Sequence, residues 1–218
     1  MLNDKELYSI VVIGAMNPRI HVPAWYFQFD LISKEEYDAA ILAASTLVTA
    51  QVSQFQFEGI SVLCLPDRWE IRTTKRSDLD RMKAITQKIF DELLMHTPVI
   101  LMGFNFVWQK ATNVANVARH LASRLVEMPF GLADGVPDSG EFSIRRVSEN
   151  RLNAIAIAPS PESDSPSHVN ISINYEYKFE NVGPFKLEDT AFAKYAADQK
   201  EADQQALLIV RALNETSE

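Results

Sequence analysis

The sequence predicts an α+β protein in which helices pack against a mainly antiparallel sheet, with each strand-rich half of the chain followed by a helix. Two observations favour this class over an alternating α/β fold. Apolar and polar side chains alternate with a period of two in residues 46–74 and 142–179, and apolar residues at helical spacing follow each of these regions. Strands grouped and joined by short turns, with helices kept apart from them, define the α+β class.

The first 45 residues predict one strand and one helix. Residues 8–13 form a β-branched run that is typical of a buried strand. Ser33 and Glu36 have the spacing of a capping box, in which the serine hydroxyl accepts from the third amide of the helix while the glutamate reaches back to the amide of the capping serine. We therefore expect a short helix from this point to about Ala44.

Three antiparallel strands are predicted between residues 46 and 74. Phe55 and Phe57 alternate with glutamines, which is the pattern of a strand with one wet face. Gly59 marks a turn, and residues 60–65 form an apolar strand. Alternation then resumes over residues 69–73. Short turns between these runs favour antiparallel pairing.

The middle of the chain predicts a helix, a strand and a second helix. Ser77 is expected to cap the first helix with its hydroxyl, and apolar side chains recur behind it at three- and four-residue spacing through Leu93. Residues 99–108 alternate as a strand that is buried on much of both faces. Residues 113–126 return to helical spacing.

The last third predicts a hairpin, a long strand and a terminal helix. Residues 142–148 and 152–158 form the two arms of the hairpin, and residues 169–179 alternate more regularly than any other part of the chain. Helical spacing then runs from residue 187 to 213, either as one helix or as two with a break near Asp198.

The chain is expected to form a single α+β domain over residues 1–218. A stretch with three glycines and two prolines, residues 129–140, marks a long loop or sub-domain junction. Residues 159–167 are rich in proline, serine and acidic residues, so we expect them to be mobile. The one cysteine, Cys64, lies between leucines and is interpreted as a small buried hydrophobe.

The charge balance disfavours nucleic acid as a partner. The sequence has 21 basic and 29 acidic side chains, for a net charge of −8. Affinity for duplex DNA and RNA depends on basic side chains that neutralise phosphates. There is no run of about 18 apolar residues for a membrane span, and the polar start is unlike a signal peptide. These features, with the single cysteine, favour a cytoplasmic protein.

No motif in the sequence predicts catalysis, a metal site or a cofactor. The four histidines lack the spacing of zinc enzymes, and neither a glycine-rich phosphate loop nor the serine elbow of hydrolases is present. A site assembled from distant segments remains an alternative. The absence of recognisable chemistry favours a protein that is not an enzyme.

The stretch from Phe57 to Asn105 resembles a known group of proteins. An Asp67-Arg68-Trp69 turn, a capped helix and a Gly103-Phe104-Asn105 strand together are similar to sporadically distributed, largely uncharacterised bacterial proteins whose fold is related to SecB-type export chaperones. That family usually continues the glycine strand with Arg-Tyr-Ile-Asn, and this sequence departs from it there. The resemblance implies an oligomer that binds apolar peptides or partner proteins rather than a catalyst.

Six residues are candidates for binding: Trp25, Tyr26, Phe27, Arg68, Asn105 and Asn174. The three consecutive aromatic side chains cannot all enter one core if the segment is extended, and exposed aromatic patches usually mark protein contacts. Arg68 begins a cluster of mixed charges, which favours salt bridges over a basic patch for an anionic partner. The two asparagines lie within apolar strands, where an amide either cross-links the backbone or lines a polar site.

The sequence thus predicts a non-enzymatic protein-binding or assembly protein that self-associates as a homo-oligomer, and the resemblance implies that it is chaperone-like. Two alternatives stay open. One is a small-ligand binder or enzyme with a site between the sheet and the helices, for which Arg68, Asn105 and Asn174 are the first candidates. The other, suggested only by the resemblance, is an accessory component of a phage or mobile-element system.

Overall fold

A computed structural model describes residues 5–126, 141–148, 151–160, 167–179 and 187–215 of the chain. Its strands are β1 (Lys5–Gly14), β2 (Leu47–Val48), β3 (Ser53–Phe57), β4 (Ile60–Cys64), β5 (Arg68–Thr73), β6 (Val99–Ala111), β7 (Phe142–Ser148), β8 (Arg151–Pro159) and β9 (His168–Lys178). Its α-helices are α1 (Pro23–Gln28), α2 (Lys34–Leu42), α3 (Leu79–Gln87), α4 (Val117–Val126) and α5 (Tyr195–Glu215).

The nine strands form one sheet in the order β2-β3-β4-β5-β1-β6-β9-β8-β7, and every pairing is antiparallel. The predicted α+β class is therefore confirmed. β1 lies in the middle of the sheet, between β5 and β6, so the segment that comes early in the sequence is held on both sides by later strands.

One face of the sheet carries the core and is covered by the helices. Buried side chains alternate along the central strands, as in Tyr8, Ile10 and Val12 of β1, and the same face of β9 is buried from Val169 to Tyr177. The other face, which we call the open face, carries mainly half-buried polar and small side chains on β9. This is the one-sided burial that two-residue alternation predicts.

The predicted turn at Gly59 joins β3 to β4 directly. Both turn residues, Glu58 and Gly59, have positive φ angles of 43° and 89°, and such two-residue turns match the twist of the strands they connect. The edge strand β2 was not predicted, because two residues are too few to show alternation.

The capping box of α2 is confirmed. The Glu36 amide donates to Ser33 Oγ at 3.2 Å, and the Ser33 amide donates to Glu36 Oε2 at 2.7 Å. The helix ends at Leu42, two residues before the expected end at Ala44. The preceding aromatic segment also forms a helix, α1, which begins at Pro23 because proline fits the first helical turn.

The predicted capping by Ser77 is wrong. A 3-10 turn, Arg76–Asp78, precedes α3, and the Ser77 hydroxyl donates to the Asp78 side chain rather than accepting from a helix amide. Asp78 also accepts from the Thr73 hydroxyl at 2.8 Å, so the turn is fastened to the end of β5. The helix continues beyond α3 as a π-helical turn, Lys88–Leu93.

The two later helices begin after their predicted starts. Asn113 donates its amide to Asn214 at 2.7 Å instead of joining α4, and Asn116 caps that helix by accepting from the Arg119 amide at 3.0 Å. Before α5, a π-helical turn, Glu188–Phe192, is followed by a break at residues 193–194. Asp198 therefore lies inside α5, where it is buried, and not at a break.

Two further expectations can be placed. Cys64 is completely buried, as predicted, and burial raises the pKa of its thiol to about 12. The hairpin of β7 and β8 is confirmed by its register. The proposed junction at residues 129–140, most of the segment expected to be mobile (161–166) and the hairpin turn (149–150) lie outside the described residues.

Candidate functional site

A cleft of about 850 Å³ lies between the C-terminal half of α5 and the helix-covered face of the sheet. We call it the α5 cleft. The start of β1 and the end of β6 supply Glu6, Trp108 and Lys110, and the turn before α3 supplies Arg76. The α5 wall consists of Asp203, Ala206, Leu207, Val210, Arg211, Asn214 and Glu215.

The sheet side of the α5 cleft is rigid and aromatic. Trp108 is only 3% exposed, stacks on Phe106 with ring centroids 6.2 Å apart, and meets the edge of Tyr8 at 6.4 Å. The Tyr8 hydroxyl donates to Glu6 Oε2 at 2.5 Å. Burial, together with this hydrogen bond, raises the pKa of Tyr8, so its hydroxyl stays protonated and holds Glu6 in place.

The charged side chains of the α5 cleft are paired with one another. Arg76 donates two hydrogen bonds to the Asp203 carboxylate, one of them at 2.8 Å, and this contact raises the pKa of Arg76. Lys110 lies 3.6 Å from Glu6. Arg211 and Glu215 complete a third pair at 2.6 Å. Because three positive charges meet three negative ones, the cleft offers no net charge to a nucleotide or another phosphorylated ligand.

The apolar surface of the cleft continues onto the outside of α5. Leu207, which lines the cleft, is 70% exposed, and the adjacent Leu208 is 63% exposed. Ala212, one turn further along, is exposed as well. Contiguous exposed apolar side chains with a polar rim are typical of protein contact sites.

The titratable side chains that line the α5 cleft are carboxylates, a lysine and two arginines. The described lining contains no histidine, cysteine, serine or threonine, and its carboxylates are held in the ion pairs with Arg76, Lys110 and Arg211. Across the part of the chain that the structure describes, no group of three or more His, Cys, Asp and Glu side chains could hold a metal ion.

The predicted aromatic residues are distributed around α1. Tyr26 is completely buried, and Trp25 is partly buried against the core. Phe27 is 37% exposed and stacks on Tyr37 at 5.2 Å. The helical conformation sends the three side chains in different directions, so they do not form one exposed aromatic patch. Of the three, Phe27 is the most available to a partner.

Tyr26 belongs to a buried polar chain that the sequence did not indicate. Trp69 Nε1 donates to Tyr26 Oη at 2.9 Å, and Tyr26 Oη lies 3.4 Å from His21 Nδ1. His21 is 1% exposed and surrounded by the rings of Trp25, Tyr26, Trp69 and Phe90. Burial lowers its pKa to about 4, so this histidine is a neutral part of the core at neutral pH.

The predicted polar residues lie on the open face of the sheet. The side-chain amide of Asn174 donates to Asn105 Oδ1 at 2.8 Å, and the side-chain amide of Asn105 donates to Ser9 Oγ at 3.1 Å. The three side chains therefore form a row across β9, β6 and β1. Arg68 pairs with Glu70 at 2.7 Å. This pair fits the expected salt-bridged cluster.

Arg68, Asn105 and Asn174 do not meet at one site. The strand register aligns Arg68 with Ile13 of β1, four residues away from Ser9, which is roughly 13 Å along the strand. All three residues also face away from the helices, so the expectation that they line a site between sheet and helices is wrong. Whether the asparagine row binds anything stays a prediction.

The residues of the α5 cleft were not singled out from the sequence. One signal was available: Leu207 and Leu208 are consecutive in a helix, directly after Ala206, which is buried. Adjacent residues on a helix point about 100° apart, so a second leucine beside an inner position must be exposed or must meet a partner. The ion pairs of the cleft join distant segments and leave no local pattern.

Comparison of the sequence with models of known protein families found no match. Comparison with curated proteins found no significant match either. Within the described residues, none of the helices has the length and apolar character that crossing a membrane requires.

Proposed function

We propose that this protein is a non-enzymatic binding protein that holds an apolar segment of a partner protein in the α5 cleft. The observation that supports it most directly is a cleft of about 850 Å³ in which apolar side chains of α5 lie beside charged side chains that are already paired. Apolar side chains of a ligand gain from leaving water, and no rim charge has to give up a partner to admit them.

A protein segment fits this surface better than a metabolite because the apolar surface extends beyond the cleft. Leu207 and Leu208 stand on the outer side of α5 with most of their surface in water. A small molecule within the cleft would leave Leu208 exposed, whereas a chain crossing the mouth could cover both leucines. A second copy of this protein is one such partner, which links the proposal to the expected homo-oligomer.

Binding of a small apolar ligand in the same cleft is the second candidate. Its support is the volume, since pockets for small ligands commonly measure about 300–1,000 Å³ and the α5 cleft falls within that range at about 850 Å³. The two candidates share the interior of the cleft and differ at its mouth.

A cytoplasmic setting is part of the proposal. The sequence has one cysteine, Cys64, so the chain contains no internal disulfide and needs no oxidising compartment in order to fold.

The test measures the anisotropy of a fluorescein-labelled peptide of alternating leucine and serine as the protein is added. We expect Leu207→Glu to weaken binding at least tenfold, because it places a charge where an apolar side chain should be buried. Leu42→Glu is the matched control, since Leu42 is 82% exposed on α2 and lies outside the cleft lining. Light scattering of the same samples reports self-association.

Two results distinguish the candidates. If the single residue N-acetyl-leucinamide binds as tightly as the peptide, the small-ligand candidate replaces the protein-binding one. The proposal fails if the wild-type protein binds neither probe and runs as a monomer, or if Leu207→Glu binds the peptide as well as Leu42→Glu does.

A further inference from the structure

A second, smaller pocket of about 200 Å³ lies where the hairpin of β7 and β8 meets α5. Arg146 pairs with Asn153 across the hairpin, and Ser148 pairs with Arg151, so these four residues lie on the same face of the sheet. Glu201 of α5 completes the polar lining. We call this space the hairpin pocket, and it shares no lining residue with the α5 cleft.

An ionic network built around the buried Asp198 forms one wall of the hairpin pocket. Arg151 donates to Asp198 Oδ1 at 2.5 Å and to Glu201 Oε2 at 3.0 Å. Tyr177 donates to the other oxygen of Asp198, which is 2% exposed, and Gln205 donates to Glu201 Oε1 at 2.9 Å. Each carboxylate is therefore held from two sides, and Arg151 cannot swing freely.

Three buried polar atoms beside this network have no hydrogen-bond partner among the described residues: Asn153 Oδ1, Arg151 Nε and Gln205 Oε1. The Tyr175 hydroxyl interacts with the Asn153 side chain. Asn153 lines the pocket itself and is only 6% exposed. Buried polar atoms are nearly always hydrogen-bonded, and each exception needs an explanation. Arg151 Nε is a hydrogen-bond donor, whereas Asn153 Oδ1 and Gln205 Oε1 are acceptors. A ligand that can both accept and donate hydrogen bonds would fit them.

The charges around the hairpin pocket favour an anion. Arg146 forms no ion pair in the described part of the chain, and it is exposed at the pocket edge. Arg151 is already paired with two carboxylates, those of Asp198 and Glu201. Arg146 is therefore the cation of the lining that is left for a carboxylate ligand.

We propose that the hairpin pocket binds a small carboxylate that carries a hydrogen-bond donor on the adjacent carbon, as hydroxy acids and amino acids do. The planar guanidinium of Arg146 matches a carboxylate, which it can hold through two parallel hydrogen bonds. The donor on the next carbon is directed to Asn153 Oδ1. A volume of about 200 Å³ limits the ligand to a few carbon atoms.

The experiment is an NMR titration of the ¹⁵N-labelled full chain with three probes: L-lactate, L-alanine and propionate. All three are three-carbon carboxylates that differ only in the group at the second carbon. We expect saturable shifts of the amides around Arg146, Asn153 and Glu201 with lactate, alanine or both. Propionate should bind at least fivefold more weakly than the better of these two, because it leaves Asn153 Oδ1 without a partner.

Two substitutions locate the site. Arg146→Gln should weaken binding at least tenfold, whereas Arg145→Gln, the same change on the opposite face of β7, should leave it within twofold. Asn153→Leu should make propionate bind as well as lactate; if this variant does not fold, the arginine pair alone decides. The proposal is overturned if no probe shifts these amides, if propionate binds as tightly as the others, or if both arginine variants lose binding equally.

Discussion

Lowering the pH from 7 to 5 should destabilise this protein through His21. Its imidazole is enclosed by four aromatic rings, and burial lowers its pKa from 6.5 to about 4. In the unfolded chain the imidazole should titrate near its ordinary value of about 6.5. Between these two values the unfolded state binds a proton that the folded state excludes, so the free energy of unfolding falls as the pH falls.

The size of the effect follows from the pH interval. Each pH unit below 6.5 costs about 1.4 kcal/mol, and pH 5 is about 1.5 units lower, so the loss is about 2 kcal/mol. The protein at pH 5 should therefore have lost a sizeable part of a typical stability of about 5–15 kcal/mol. Below the folded pKa of about 4, His21 itself adds no further loss.

The assay is urea unfolding at pH 7 and pH 5 for the wild-type protein and for His21→Asn. Asparagine can place a polar atom near the Tyr26 hydroxyl but does not titrate. The variant should be less stable at both pH values, since it leaves space among the rings, yet it should lose about 2 kcal/mol less than the wild type between them. His96→Asn, on an exposed residue, should keep the wild-type loss. Equal losses in the wild type and His21→Asn would refute the reasoning, because all carboxylates are common to both.

Three further predictions concern stability, each measured by urea unfolding at pH 7. Gly14→Ala should cost about 2–4 kcal/mol, because its Cβ would lie 2.1 Å from a backbone oxygen of the loop before β6; a stable Gly14→Ala protein would contradict this close approach. Arg151→Met should cost about 3 kcal/mol, because it leaves the buried Asp198 carboxylate without its cation, and adding Asp198→Asn should restore part of the loss. Ser33→Ala should cost about 0.5–2 kcal/mol through the lost cap, whereas Ser77→Ala should change stability by less than about 0.5 kcal/mol, since Ser77 caps no helix.

The strands were predictable because one face of the sheet is buried. Alternation in residues 169–179 gave the faces of β9 correctly, since Ile171 and Tyr175 are completely buried while Ser172 and Asn174 on the other face are not. The capping box at Ser33 was equally readable, because both of its hydrogen bonds are local. A pattern of three or four residues predicts the local structure correctly when no residue outside the pattern competes for its hydrogen bonds.

Local patterns failed where a residue outside the helix intervened. The cap predicted at Ser77 is replaced by a turn that Thr73 fastens through Asp78, and the start of α4 is delayed because Asn214 takes the Asn113 amide. Neither competitor can be seen from the helix sequence alone.

The candidate sites were less predictable than the fold, because they are made of contacts between distant segments. Arg76 meets Asp203, and Arg151 meets Asp198, each from a different part of the chain. The residues singled out from the sequence lie elsewhere. The three aromatic residues are on α1, and the three polar residues are on the open face of the sheet. The alternative prediction placed a site between the sheet and the helices, where the α5 cleft lies. None of the residues suggested for that site lines the cleft.

The central position of β1 has a consequence for folding. Tyr8 pairs with Thr73 of β5 on one side and with Phe106 of β6 on the other. β1 can therefore form neither strand pairing until β5 and β6, which come much later in the chain, have been synthesised. During synthesis the apolar side chains of β1 therefore have no sheet to pack into until these strands are present. Proteins dominated by such long-range pairing fold in about milliseconds to seconds rather than microseconds. The newly made chain should therefore be most prone to aggregate before β6 leaves the ribosome.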